Sequence, residues 1–189
     1  GATDMAVIWA SGSTWFKVPE TIALFLSGRL SGHAEAKDLA LTYVSRLGMD
    51  GASYQALEFI GEGVTHLSMD SRMTLCNLAV ETGAKTGLCY ADKVTVAYLE
   101  SFGKIVETQP PPACRYKREL DIDMGEIVPV IAVPPRVDTI IPVSSLSGTP
   151  LDQVFVGTCT NGRYEDLSRF ASIVRGKKVK VRTIVAPAS

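Results

Sequence analysis

The sequence contains no CxxC pair. Its four cysteines, Cys76, Cys89, Cys114 and Cys159, are scattered, which argues against a zinc site or an iron–sulfur cluster ligated wholly from within this chain. A disulfide framework is not needed either. With 46% apolar residues over 189 positions there is enough material for a packed core, so the cysteines read as free thiols of a reducing cytoplasm. An excess of charge of one sign is also missing. Lys and Arg number 19 against 20 Asp and Glu, a formal net charge of −1, and that balance recommends neither nucleic acid nor an anionic membrane as a partner. No apolar run approaches the roughly 20 residues of a membrane span, and no basic-then-apolar leader opens the chain. Only two histidines occur. His33 and His66 stand apart from each other and from any carboxylate pattern, and neither is assigned a role.

What is present is mixed α/β patterning from end to end. Ala2 to Ala10 reads as a helix closed by Ser11 and Gly12, and "TWFKVPETIALFLSGRLSG" as two strands interrupted at Pro19. "AEAKDLALTYVSRLGMDG" places Leu39, Tyr43, Val44 and Leu47 at amphipathic-helix spacing, with Gly48 as the stop. A strand follows in "SYQALEFIGEG", a helix from Ser71 to Glu81 before Gly83, a strand from Thr86 to Tyr90, and a helix from Val94 to Phe102. The Pro-rich "TQPPPACRY" separates these from "RELDIDM" and "EIVPVIAVPP", expected as edge or irregular strands. "PPRVDTIIPVSSLSGTP" is the best linker candidate, and Gln153 to Ala186 repeats strand, helix and strand.

Three stretches carry possible chemistry. In "VFVGTCTNGRYEDL" a β-branched strand breaks at Gly157, Glu165 and Asp166 fall in the first turn of a helical pattern, and Cys159 sits at the hinge. Unpaired backbone N–H groups at such a hinge favour the thiolate, the form that binds metal or attacks carbon. The plain alternative is a small packed residue, with Thr160 or Asn161 capping the helix. In "SRMTLCNLAVETG" Asn77 and Glu81 stand four residues apart, an amide and a carboxylate on one helix face, which a solvated surface would equally explain. In "RGKKVKVR" Lys178, Lys180 and Arg182 alternate with Val179 and Val181, a strand with one charged face whose lysines read as edge protection ahead of a phosphate or RNA patch.

The first two stretches together resemble the aconitase superfamily. "VFVGTCTNGRYEDL" resembles the signature whose G-[ST]-C-T-N turn supplies the first of three cysteine ligands to a [4Fe–4S] cluster, and "RMTLCNLAVETGAKTG" the signature whose Asn and Glu lie at the cluster and substrate site. "GATDMA", "TWFKVPETI" and "AKDLALTYVSRLGMDGASYQALEFIGEGVTHLSMDSRMT" extend the likeness, in order, to the large subunits of its isopropylmalate dehydratase and homoaconitase branches. The resemblance implies aconitase-type α/β/α layered domains: the tail of a preceding domain at 1–18, a central α/β domain at 19–136, and a linker with the opening of a third at 137–189. The family's Asp-Ser-His motif would lie upstream, with its CxxC and substrate-binding arginines downstream. The chain therefore reads as the central section of a longer subunit, inactive by itself.

The resemblance further implies an iron–sulfur hydro-lyase that isomerises a 2-hydroxy acid by dehydration and rehydration. The implied reaction converts 2-isopropylmalate to 3-isopropylmalate in leucine biosynthesis, or acts on a homocitrate-type tricarboxylate. In that scheme Cys159 is a cluster ligand, Glu81 acts on the leaving hydroxyl, and Asn77 positions a neighbouring oxygen at the cluster. A small subunit carrying a catalytic serine and a substrate-specificity loop is the implied partner, with no role for nucleic acid or membrane. A non-catalytic module is the alternative of another class, because two cluster ligands are absent from this chain.

Overall fold

A computed structural model describes residues 2–110 and 114–188. The Pro-rich separator expected at residues 108–116 falls partly outside the described residues. Helix α1 (Ala2–Ser11) ends where Gly12 takes φ 69°. Strand β1 (Thr21–Ser27) buries Ile22, Ala23 and Leu24 in succession, so both of its faces are covered. Helix α2 (Ala36–Leu47) follows, starting where the Asp38 carboxylate accepts the Glu35 N–H at 2.8 Å and ending at Gly48, whose φ of 84° suits a residue without a Cβ. Leu39, Tyr43, Val44 and Leu47 are all buried, as their spacing predicts.

Strand β2 (Ala56–Ile60) is buried at every position. A 3₁₀ turn leads to α3 (Met69–Leu78), which Ser68 caps by accepting the Ser71 N–H at 3.1 Å. Strand β3 (Thr86–Cys89), helix α4 (Lys93–Glu100) and strand β4 (Arg118–Asp123) complete the unit. The four strands pair in parallel in the order β3-β2-β1-β4, so the chain winds outward from β1 and then returns to its other side. Helices α2 and α3 lie together against this sheet, their apolar faces merging with it in one core.

Beyond the sheet, β5 (Val130–Ala132) and β6 (Ile140–Pro142) form a short antiparallel hairpin. A second parallel pair joins β7 (Gln153–Gly157) to β8 (Arg182–Ala186), connected by α5 (Thr158–Asn161) and α6 (Tyr164–Val174). Among the described residues no helix is long and apolar enough to cross a membrane.

Three expectations are corrected. The two strands expected around Pro19 are one: residues 14–18 have no strand beside them, and Trp15, Phe16 and Val18 are exposed. The reason lies in register, since β1 pairs from Thr21 onward because β2 begins only at Ala56. Part of the expected linker is the strand β6, which has β5 as its partner. The charged strand expected over Lys178 to Arg182 begins only at Arg182, because β7 opens with Gln153 opposite Arg182 and offers nothing to Lys178–Val181.

Candidate functional site

Cys159 is placed by a turn that the sequence around it forces. Gly157 has φ 122°, and a Cβ there would stand 1.8 Å from the carbonyl oxygen of Ala186 in the neighbouring strand. Thr158 also has positive φ, 81°, an unfavourable conformation for a β-branched residue. Gly162 closes the turn, since a Cβ there would meet the Thr158 oxygen at 2.6 Å. Between these points α5 is a single turn of four residues. Cys159 therefore sits in a tight bend between β7 and α6, within the one-turn helix α5 at the hinge between strand and helix, and the residue is exposed.

Glu165 and Asp166 do lie in the first turn of α6. The Asp166 carboxylate accepts the Arg163 N–H at 2.9 Å and the Asn161 amide at 2.6 Å, so the cap of α6 is built by Asp166. Burial pushes the Asp166 carboxyl above the ordinary range against the lowering effect of the Arg163 N–H, helped by the nearby charges of Asp70 and Glu165.

Thr160 does not cap α6. Its hydroxyl donates to the side-chain oxygen of Asn77 at 2.8 Å, and its carbonyl accepts from the Thr74 hydroxyl at 3.0 Å. These two bonds fasten the Cys159 turn to α3, joining segments 83 and 86 residues apart in the chain. Further bonds tie α6 to the same side of the central unit. Ser68 donates to Glu165, the Glu165 N–H donates to Asp70 at 3.2 Å, and Arg169 donates to Glu35 at 2.7 Å.

Asn77 is exposed on the last turn of α3, and Glu81 is half-buried in the 3₁₀ turn Ala79–Thr82 that follows. The continuous helix expected from Ser71 to Glu81 thus tightens after Leu78, and the left-handed Gly83 ends it. Behind the pair, Tyr43 is fully buried and its hydroxyl donates to the Leu75 carbonyl at 2.7 Å, which pins the last turns of α3 to α2. Burial above all pushes the Tyr43 phenol well above its usual range, so it stays a donor. Two clefts flank the turn. One of about 550 Å³ runs between Glu35, Phe155, Asn161 and α6, and one of about 470 Å³ lies between α2, the β5–β6 hairpin, Thr158 and Thr160.

The site residues read from the sequence therefore converge in part. Asn77 and the Cys159 turn meet through Thr160, and Glu81 lies one short turn beyond Asn77. Sequence reasoning gave Thr74 and Thr160 no such role, since nothing local to either one signals a bond to the other. Among the described residues no group of three or more His, Cys, Asp or Glu side chains could hold a metal ion. Cys159, an exposed thiol held on a constrained turn, fits a single thiolate donor to a cluster whose other ligands this chain does not supply.

Comparison with known proteins agrees with both signatures. The chain matches the model of the aconitase family (aconitate hydratase) over residues 1–150 and 144–189. It is 48% identical to a probable methanogen homoaconitase large subunit of Methanosarcina mazei, over all of this chain and 49% of that protein. It is 44% identical to 3-isopropylmalate dehydratase large subunit 1 of Methanopyrus kandleri and 43% identical to that of Archaeoglobus fulgidus, in each case over 46% of the relative. The chain spans about half the length of the curated relatives it matches. Its sequence, with both signature segments joined through Thr160, belongs to the aconitase family.

Proposed function

We propose that this chain is the core of the large subunit of an iron–sulfur hydro-lyase that converts 2-isopropylmalate to 3-isopropylmalate in leucine biosynthesis. The observation that carries this reading is the bond from Thr160 to Asn77, which sets the expected cluster cysteine and the expected substrate-site amide on adjoining elements. In the intact protein Cys159 would hold one iron of a [4Fe–4S] cluster, with two further thiolates from outside this chain. Such a cluster, with one iron lacking a protein ligand, supplies a Lewis acid that eases departure of hydroxide. Glu81 would move a proton at the oxygen of the leaving hydroxyl, and Asn77 would orient the substrate beside it. Cys159 is a ligand in this scheme and not a nucleophile. The base that removes the carbon-bound proton would be a serine of a small subunit, the partner that "large subunit" in the relatives' names supports. Four free cysteines and an iron–sulfur cofactor suit a reducing cytoplasm.

A homocitrate-type substrate is the second reading, favoured by the 48% identity to the methanogen homoaconitase subunit. The test uses the full-length subunit with its partner, reconstituted anaerobically with iron and sulfide. Cys159→Ala should lose the visible cluster absorbance that Cys114→Ser retains, and an unchanged spectrum for Cys159→Ala overturns the assignment. Product formation from isopropylmalate and from homocitrate, measured on the same reconstituted protein, separates the two substrates. No turnover of either substrate by a protein with a full cluster spectrum would favour a non-catalytic module.

A further inference from the structure

Two cysteines that this reading leaves unused face each other. Cys76 lies in the last turns of α3 and Cys89 ends the edge strand β3, and their sulfurs stand 3.9 Å apart. Both are half-buried at the margin of the core, whereas Cys114 and Cys159 are exposed. The approach is a property of the backbone. A Cβ on Gly87 would lie 2.6 Å from the Cα of Cys76 and 3.0 Å from its carbonyl oxygen, so α3 can rest this closely on β3 only because residue 87 is glycine. The environment also divides the pair. The hydrogen bond from Cys89 holds the Cys76 thiol below its ordinary range against the opposing effect of burial, with help from the Arg72 charge, while the same bond and burial push the Cys89 thiol up.

We propose that Cys76 and Cys89 form a redox-responsive dithiol that a low-molecular-weight disulfide oxidant closes into an intramolecular disulfide. The Cys76 thiolate attacks one sulfur of the oxidant, whose S–S bond breaks to release one thiolate, leaving a mixed disulfide on Cys76. That released thiolate takes up the proton Cys76 has lost. Cys89 then gives up its proton to solvent base and attacks the Cys76 sulfur. The Cys76–Cys89 bond forms as the bond between Cys76 and the oxidant sulfur breaks, and the second oxidant-derived thiolate leaves and takes up a proton from solvent. Two cysteine sulfurs are oxidised by two electrons, and one disulfide is reduced to two thiols. The sulfurs must close from 3.9 Å to about 2 Å. Cys76 immediately precedes Asn77, whose side chain accepts from Thr160, so closure acts on the turn that carries the Cys159 anchor. In a reducing compartment the bond would be transient and respond to the thiol–disulfide balance.

The inference is independent of the hydro-lyase reading, and its test reads no activity. The folded chain is incubated with glutathione disulfide without denaturant, quenched with an alkylating agent, and digested with trypsin. Trypsin separates the two cysteines, with Cys76 in the peptide 73–85 and Cys89 in 86–93. The expected product is these two peptides linked, with the intact mass lowered by two hydrogens and restored by dithiothreitol. In Cys89→Ser the oxidant should instead leave a persistent mixed disulfide on Cys76. Linkage through Cys114 or Cys159, or complete alkylation of all four thiols in the oxidised wild-type chain, overturns the proposal, and neither result depends on the variant folding.

Discussion

Thr160 illustrates how one residue connects distant segments. Its bond to Asn77 and the bond its carbonyl receives from Thr74 are direct links between the Cys159 turn and α3. Thr160→Val removes the donor while keeping the shape, and because Asn77 is exposed its oxygen can turn to water. The expected cost is therefore that of one ordinary hydrogen bond, about 1 kcal/mol, read as a lower urea midpoint, with Thr160→Ser restoring it. Gly157 is less forgiving. Gly157→Ala meets both a positive φ and a Cβ 1.8 Å from the Ala186 oxygen, so strain of about 1–3 kcal/mol adds to disruption of the β7–β8 pair. Hydrogen exchange along β8 should accelerate in this variant, and unchanged exchange would mean that the turn relaxes without moving the strand.

At the scale of elements, Arg72 does the most with one side chain. It is 1% exposed, yet its guanidinium donates to the carbonyls of Val64 and Leu67, to Thr95, and through both terminal nitrogens to Asp92 at 2.7 Å. Asp92 in turn caps α4 by accepting from Val94 and Thr95. Arg72→Ala removes one partner of a largely buried pair and should cost about 3–5 kcal/mol, visible as a lower thermal midpoint with α4 frayed. Burial acts to raise the Asp92 carboxyl, but the bonds from Arg72, Thr95 and Val94 outweigh it and hold the group below its ordinary value of 3.8. Because the folded value is the lower one, the carboxylate contributes stability that is full above pH 3.8 and is lost as pH falls through the folded value. Denaturant titrations across that acid range should show a smaller loss in Asp92→Asn than in the wild type. An equal loss would place the acid sensitivity elsewhere.

Much of this level is legible in the sequence. Leu39, Tyr43, Val44 and Leu47 repeat with the helical period and all turn inward, and β2 reads as a strand because its apolar run is bounded by turns. The failures among the strands share one cause. A strand needs a partner in register, and the alternation in "KKVKV" or the aromatic run before Pro19 does not say whether one is available. Nor did the signature segments disclose their own junction. Asn77 and Cys159 were accessible as motif residues, but the hydroxyl joining them belongs to a contact 83 residues apart.

Over the whole molecule, apolar burial is uneven. Among the described residues every buried hydrophobic one lies between Ile22 and Ile127, while β7, α6 and β8 contribute none. The unit carrying Cys159 is held to the rest largely by polar bonds, among them the exposed Glu35–Arg169 ion pair, whose class contributes about 0–1 kcal/mol and weakens with salt. Within this chain, which spans about half the length of the relatives it matches, a unit without buried hydrophobic residues of its own should open locally at a lower free energy than the central sheet. Native-state hydrogen exchange should accordingly show β7 and β8 exchanging well before β1 and β2, and the gap should widen as salt is raised. Identical rates for both sheets would mean that the few hydrogen bonds at Thr160, Glu165 and Arg169 suffice to make the molecule one cooperative unit. If the gap is found, a ligand held by both Cys159 and Asn77 in the full-length subunit would bind only the closed form, so its binding should slow exchange in β7 and β8 selectively while leaving β1 and β2 unchanged.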